Sequence, residues 1–246
     1  MRDDLLDAQA AVDWAVAQIP ILEERFAAYQ RRRPYDIVME SDPKKAGDML
    51  MVAYSLGAPD AILNADVGAI INSIRSSLDL LFTAIVGRNG KKFGRDTHLP
   101  FRIKAADFLN ETKAMEKKQW LSKTEAAAIK KMRLHKRGNR AVYLINQLDI
   151  MRKHRKLIEV RPVPGAIQTP MYLHSIRGVW RYGQSKSVLL RFPGGTDFRP
   201  TKDNCEITLQ IAFYEPRLGL LHAPVVPTLR HFAEVAANII AQFNVP

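Results

Sequence analysis

Two short runs hold residue types that could act together chemically. "INSIRSSLD" places Asn72, Arg75 and Asp79 at successive spacings of three and four, and "INQLDIMRK" repeats those spacings with Asn146, Asp149 and Lys153. On a helix each residue advances about 100°. Asn72, Arg75 and Asp79 then lie about 140°, 80° and 120° from Val67, and Asn146, Asp149 and Lys153 lie at the same angles from Ala141. Each helix thus borders its apolar face with an amide, a carboxylate and a cation. Antiparallel packing would join the two stripes, and an Arg75–Asp149 or Asp79–Lys153 pair would satisfy charges that are partly desolvated.

Two uses of such stripes are open. In a catalytic one, Arg75, Asp79, Asp149 and the neighbouring His154 line a cleft. An imidazole with an ordinary pKa of about 6.5 suits proton transfer, and a cation beside it suits phosphoryl oxygens. In a structural one, the same groups form a polar network that fixes helix register. His154 falls about 100° beyond Lys153 on the wheel, so it joins the stripe only where the helix unwinds or a third element approaches.

The charge around these runs is lopsided. Lys plus Arg number 37 against 25 Asp plus Glu, a net +12. Between Lys113 and Arg161 there are 15 basic and 4 acidic residues, so this stretch in the middle of the chain holds nearly the whole excess (15 − 4 = 11). A field of that sign attracts phosphates, nucleic acid or anionic lipid. Lys130, Lys131, Arg133, Lys136 and Arg137, with Lys153 and Arg155, are the candidate polyanion contacts. Arg31, Arg32 and Arg33 make a second, smaller basic patch.

Elements must position these groups. The 246 residues allow one large domain or two small ones, and the hydrophobic fraction of 47% is that of a globular chain. Apolar spacing predicts a helix over 4–33, with Pro20 as a kink. Two strands then flank "SDPKKAGD" as a hairpin whose outward face carries Glu40 and Asp48. A helix over 66–86 follows, with Asp66 as its N-cap and Gly87 as its stop. Two shorter helices are expected near 104–118 and 122–134, the second opened by Ser122 and Glu125 as a capping box. The helix after Gly138 bears the second stripe. Strands over 163–215 should form a C-terminal antiparallel sheet, and "TLRHFAEVAANIIAQF" a last helix. Helices and strands are segregated, which gives an α+β fold: a helical bundle core with an N-terminal hairpin and a C-terminal sheet. A single mixed domain over 1–246 is expected, with 1–160 mainly helical and 161–246 sheet plus terminal helix as a subdivision.

Several function classes receive no support. One cysteine, Cys205, permits no intrachain disulfide and fits a reducing, cytoplasmic setting. The acidic N-terminus is not a signal peptide, and no apolar run reaches the length of a membrane span. His98, His135, His174, His222 and His231 are scattered, so neither a metal site nor a cofactor is expected. "RFPGGTDF" lacks the Lys-Ser/Thr of a phosphate loop and reads as a turn. Trp180, Tyr182 and Phe192 alternate near Arg177, Arg181 and Arg191, as in a sheet with one wet and one packed face.

The pairing of "INSIRSSLDLL" with "LDIMRKHRKL" resembles a widespread group of uncharacterised bacterial proteins. These carry an Asn-x-x-Arg-x-x-x-Asp helix followed by a helix ending Leu-Asn-x-x-Asp-Lys-His-Arg. Asn72, Arg75 and Asp79, then Leu148, Lys153, His154 and Arg155, match, as does the loop "HLPF", His98 to Phe101. Asp149 stands where the pattern has Asn, and Arg152 where it has Asp. The helical part is also similar to HEPN-type domains, some of which are toxin or defence ribonucleases, although their Arg-x(4–6)-His signature has no match near Arg152–His154. The resemblance implies, as an alternative to polyanion binding, a metal-independent ribonuclease with His154 as acid or base and Lys153 and Arg155 on the phosphate. A third expectation is a protein-interaction module that pairs through its helices. RNA or DNA and a second copy of the chain are the expected partners, with no membrane.

Overall fold

The computed structural model describes all residues except 58, 95–96, 169–172, 176–185, 197–200, 202–203 and 245–246, and residues 173–175 without their side chains. It is α+β: a helical bundle and two small antiparallel sheets. The helices are α1 (Leu6–Arg31), α2 (Ala61–Arg88), α3 (Ala105–Lys117), α4 (Lys123–Met132), α5 (Arg140–His154) and α6 (Val225–Ala241). The strands are β1 (Tyr35–Ser41), β2 (Met49–Ser55), β3 (Val160–Gln168), β4 (Leu173–Ser175), β5 (Lys186–Phe192), β6 (Glu206–Glu215) and β7 (Leu220–Pro224). The chain divides into two compact units: Met1–Leu22, Asn64–Ile158 and Val226–Pro246 form one, and Glu23–Leu63 with Glu159–Val225 the other.

The first unit is helical. Val67, Ile70, Ile71, Ile74, Leu78, Leu81 and Ile85 of α2 are buried to within 2% of complete. Each such side chain contributes roughly 1.5–3 kcal/mol when removed from water, so this stripe is the main driving force of the bundle. Val142, Ile145 and Leu148 of α5 and Leu229, Phe232 and Ile240 of α6 are buried in the same unit. Ser122 and Glu125 make both halves of the expected capping box, and Asn139 caps α5 through a bond from the Val142 N–H.

Helix α2 is longer than its sequence suggests. It starts after Asp60, whose carbonyl accepts the Leu63 N–H at 2.9 Å, so Asp66 lies inside the helix rather than capping it. With 28 residues it is long and apolar enough to cross a membrane, against the sequence expectation that no run would be. Its apolar stripe is nonetheless enclosed by protein, and Arg75 is buried at its middle, so it is built as a core helix.

The second unit holds both sheets, in the orders β1-β2-β5 and β4-β3-β6-β7. The hairpin and the C-terminal sheet are both present, but β5 leaves the C-terminal sheet and pairs with β2 instead. Tyr35 of β1 lies between the sheets, its hydroxyl accepting the Ile207 N–H of β6 at 3.0 Å. Asp48 is not on an outward face. It is buried at the hairpin end, where Lys45 binds it at 2.9 Å and the Gly194 N–H donates to it at 3.2 Å. Arg191 pairs with the buried Asp42 at 3.0 Å. Arg177, Trp180, Arg181 and Tyr182, and the His174 side chain, lie outside the described residues.

Candidate functional site

The two polar stripes meet. Arg75 Nε donates to Asn146 Oδ1 at 3.0 Å, and Arg152 Nη2 donates to Asn72 Oδ1 at 2.8 Å. Positions advance along α2 as they recede along α5, so the helices run antiparallel. The pairing differs from the one the wheel suggests. Neither Arg75–Asp149 nor Asp79–Lys153 is an ion pair; each carboxylate is held by a cation of its own helix. Asp79 lies 2.5 Å from Arg75 Nη1, and Asp149 lies 2.7 Å from Lys153 Nζ, both at i,i+4. Arg152 Nη2 adds a longer contact of 3.7 Å to Asp149. An i,i+4 ion pair forms within one helix whatever the neighbour does, which leaves the amides to bridge between helices.

The loop and the helix packing complete this arrangement. Phe101, from "HLPF", lies under the Arg75 guanidinium at 4.2 Å from ring centre, a cation–π contact in a largely desolvated place. Gly68 lets the Arg152 side chain cross α2: a Cβ there would stand 2.6 Å from Arg152 Cδ. The sequence carried a signal for this, a glycine inside a strongly apolar helix. It carried none for Phe101, whose contact depends on the path of a loop. Arg152, one of the two departures from the bacterial pattern, is thus the residue that reaches Asn72.

Chemically, this is a polar network held by two hydrogen bonds to asparagine amides and by ion pairs, in which Asp149 Oδ1 and Arg152 Nε are buried without a hydrogen-bond partner. Arg75 and Asp149 are 7% and 4% exposed, so neither presents its charge to solvent. His154 is exposed at the end of α5, and its side chain makes no hydrogen bond or ion pair with any described residue. The structure therefore joins Arg75, Asp79 and Asp149 to the two asparagines and leaves His154 outside. Among the described residues no cluster of His, Cys, Asp or Glu is placed to hold a metal ion.

The basic residues separate into two sets. Lys130 is bound to Glu116 at 3.2 Å and Lys153 to Asp149, so both charges are largely answered. Lys131, Arg133, Lys136, Arg137 and Arg155 are exposed and form no ion pair with any described residue. Lys131 lies in the last turn of α4, and Arg133, Lys136 and Arg137 follow it on a tightly folded loop before α5. Arg133 closes α4 in the left-handed conformation, at φ 53°, and its carbonyl accepts from both His135 N–H at 2.7 Å and Asn139 N–H at 2.8 Å. His135 is turned inward, 6% exposed, with its ring 5.9 Å from that of Phe108. Gly138 passes so close that a Cβ would lie 2.1 Å from the Arg133 carbonyl oxygen. Inward His135 and compact Gly138 leave the neighbouring cations pointing to water. His135 was read as one of several scattered histidines; only the loop geometry gives it the role of an anchor.

No family model matches the chain, and no curated protein or solved structure matches it, so the functional reading rests on its own residues.

Proposed function

We propose that this is a cytoplasmic polyanion-binding protein, nucleic acid being its principal ligand, with the α4–α5 loop as the contact surface. One observation carries the reading: Lys131 in the last turn of α4 and Arg133, Lys136 and Arg137 on the loop after it are exposed and unanswered by acids among the described residues, and the loop is braced by buried His135 and close-packed Gly138. A preformed loop loses less conformational freedom on binding than a mobile tail of equal charge. The net charge of +12 adds long-range attraction. Contacts of this kind address phosphates, not base edges, so the reading implies affinity with little sequence preference. The ribonuclease alternative rests on His154, which no described partner holds beside Arg75, Asp79 or Asp149.

The test is fluorescence anisotropy with labelled RNA and DNA of about 20 nucleotides, at about 50 and 200 mM salt. Binding is expected to weaken steeply with salt. Replacing Arg133, Lys136 and Arg137 together by Gln should lower the slope of log affinity against log salt by about 2–3, the loss of three phosphate contacts. No binding at the lower salt, or an unchanged slope in the triple variant, would overturn the proposal.

A further inference from the structure

A cleft of about 580 Å³ opens where α3 turns into α4. Lys113, Glu116 and Lys117 of α3 form one wall, and Ser122 and Lys123 at the start of α4 form the other. Its volume is that of a small-molecule site. Its charges are unbalanced. Glu116 is already bound to Lys130 at 3.2 Å, whereas Lys113, Lys117 and Lys123 have no ion-pair partner among the described residues.

Helix stability accounts for only part of this. A lysine at position 117, in the last turn of α3, is favoured by the helix dipole. Lys123 is the reverse case: it is the first residue of α4, where the positive end of the dipole opposes a cation. Glu125 is not paired with it: its Oε2 accepts from Ser122 N–H at 2.8 Å and from Asn89 Nδ2 at 2.7 Å, and its Oε1 faces Arg88 Nη1 at 3.8 Å. Lys113 and Lys117, four residues apart, repel each other on one face of α3. The position of Lys123 and the repulsion between Lys113 and Lys117 are both unfavourable in the empty cleft, and one multivalent anion would relieve both.

We propose that this cleft binds a small organic phosphate. Lysines that line one cleft from two helices carry point charges suited to a phosphate dianion. Leu121 and the lysine stems offer an apolar floor to the organic part, and the side chains of Asn89 and Gln119 add polar edges. The site is separate from the α4–α5 loop, and the inference stands or falls without the nucleic-acid reading.

Isothermal titration calorimetry on the full chain decides it, with adenosine 5′-monophosphate and inorganic pyrophosphate as probes and adenosine as the uncharged control. Both phosphates should bind saturably at one site and adenosine should not bind. Lys117→Met with Lys123→Met should weaken both phosphates about tenfold or more, since two charged contacts are lost. The Gln variant of Arg133, Lys136 and Arg137 should bind them as the parent does. Circular dichroism confirms folding of each variant, and Lys113→Met alone serves the same comparison if the double variant does not fold. Absence of saturable binding by either phosphate, unchanged affinity in the Met variants, or loss of binding in the loop variant would each overturn the proposal.

Discussion

Arg75 is the residue whose environment is most fully specified. Its guanidinium is buried between a hydrogen bond to Asn146, an ion pair with Asp79 and the face of Phe101. Lys could replace the charge but neither the planar stacking nor the fork of donors. Arg75→Met keeps much of the volume and leaves the Asn146 oxygen without its donor, so a loss of about 1–3 kcal/mol is expected in urea denaturation. Asn146→Ala should cost clearly less in the Met variant than in the parent, because residues sharing a bond couple by about 0.5–3 kcal/mol. Strictly additive losses would mean that the Arg75–Asn146 bond does not stabilise the fold. This is also where reading from sequence reached its limit. Helical angles located both stripes and implied that they face each other. They could not choose partners, because that choice turns on rotamers: Asp79 and Asp149 fold back onto cations one turn away, and the asparagines receive the arginines.

At the scale of the element, the α4–α5 loop shows how a run of charges becomes a surface. Its residues were legible as candidates, but their presentation was not, since it depends on His135 turning inward and on Gly138 passing the Arg133 carbonyl. Gly138→Ala would force a Cβ against that backbone oxygen, which has no flexible end to yield. A destabilisation of about 2–4 kcal/mol is expected, in the range of severe backbone substitutions. Anisotropy should show weaker RNA binding although every cation is retained; undiminished affinity in a folded Gly138→Ala protein would separate the loop's shape from its binding. Other elements follow the same division between local and distant causes. The capping box at Ser122 and Glu125 is decided within four residues and was readable; the cap at Asn139 is equally local but was not among the expectations. The recruitment of β5 by β2 is decided across more than a hundred residues of chain and was not. The early start of α2 was missed because Asp66, a good cap by type, drew the boundary six residues past the Asp60 carbonyl that receives the first turn.

Across the whole molecule, three groups tie stability to pH on the acid side. The Asp4 carboxyl is held below its ordinary value of 3.8, first by its bond from Arg88, and that of Glu40 below 4.5, first by Lys186 and then by Tyr54. Both contribute stability above those ordinary values and lose it as pH falls through the lower values of the fold. His222 acts earlier. Burial pushes its imidazole below 6.5, so on acidification the unfolded chain takes up the proton first and stability falls from about pH 6.5 downward. A positive net charge that grows as carboxyls protonate adds self-repulsion. The melting temperature should therefore decline in two stages, one beginning near pH 6.5 and one near pH 4. His222 sits at φ 65°, a conformation that Asn tolerates among non-glycine residues, so His222→Asn is the appropriate replacement. Over about pH 7 to 5 the Asn variant should lose less melting temperature than the parent, while their declines near pH 4 should run parallel. Equal declines over the upper range would assign that stage to the general charge of the protein instead of to His222.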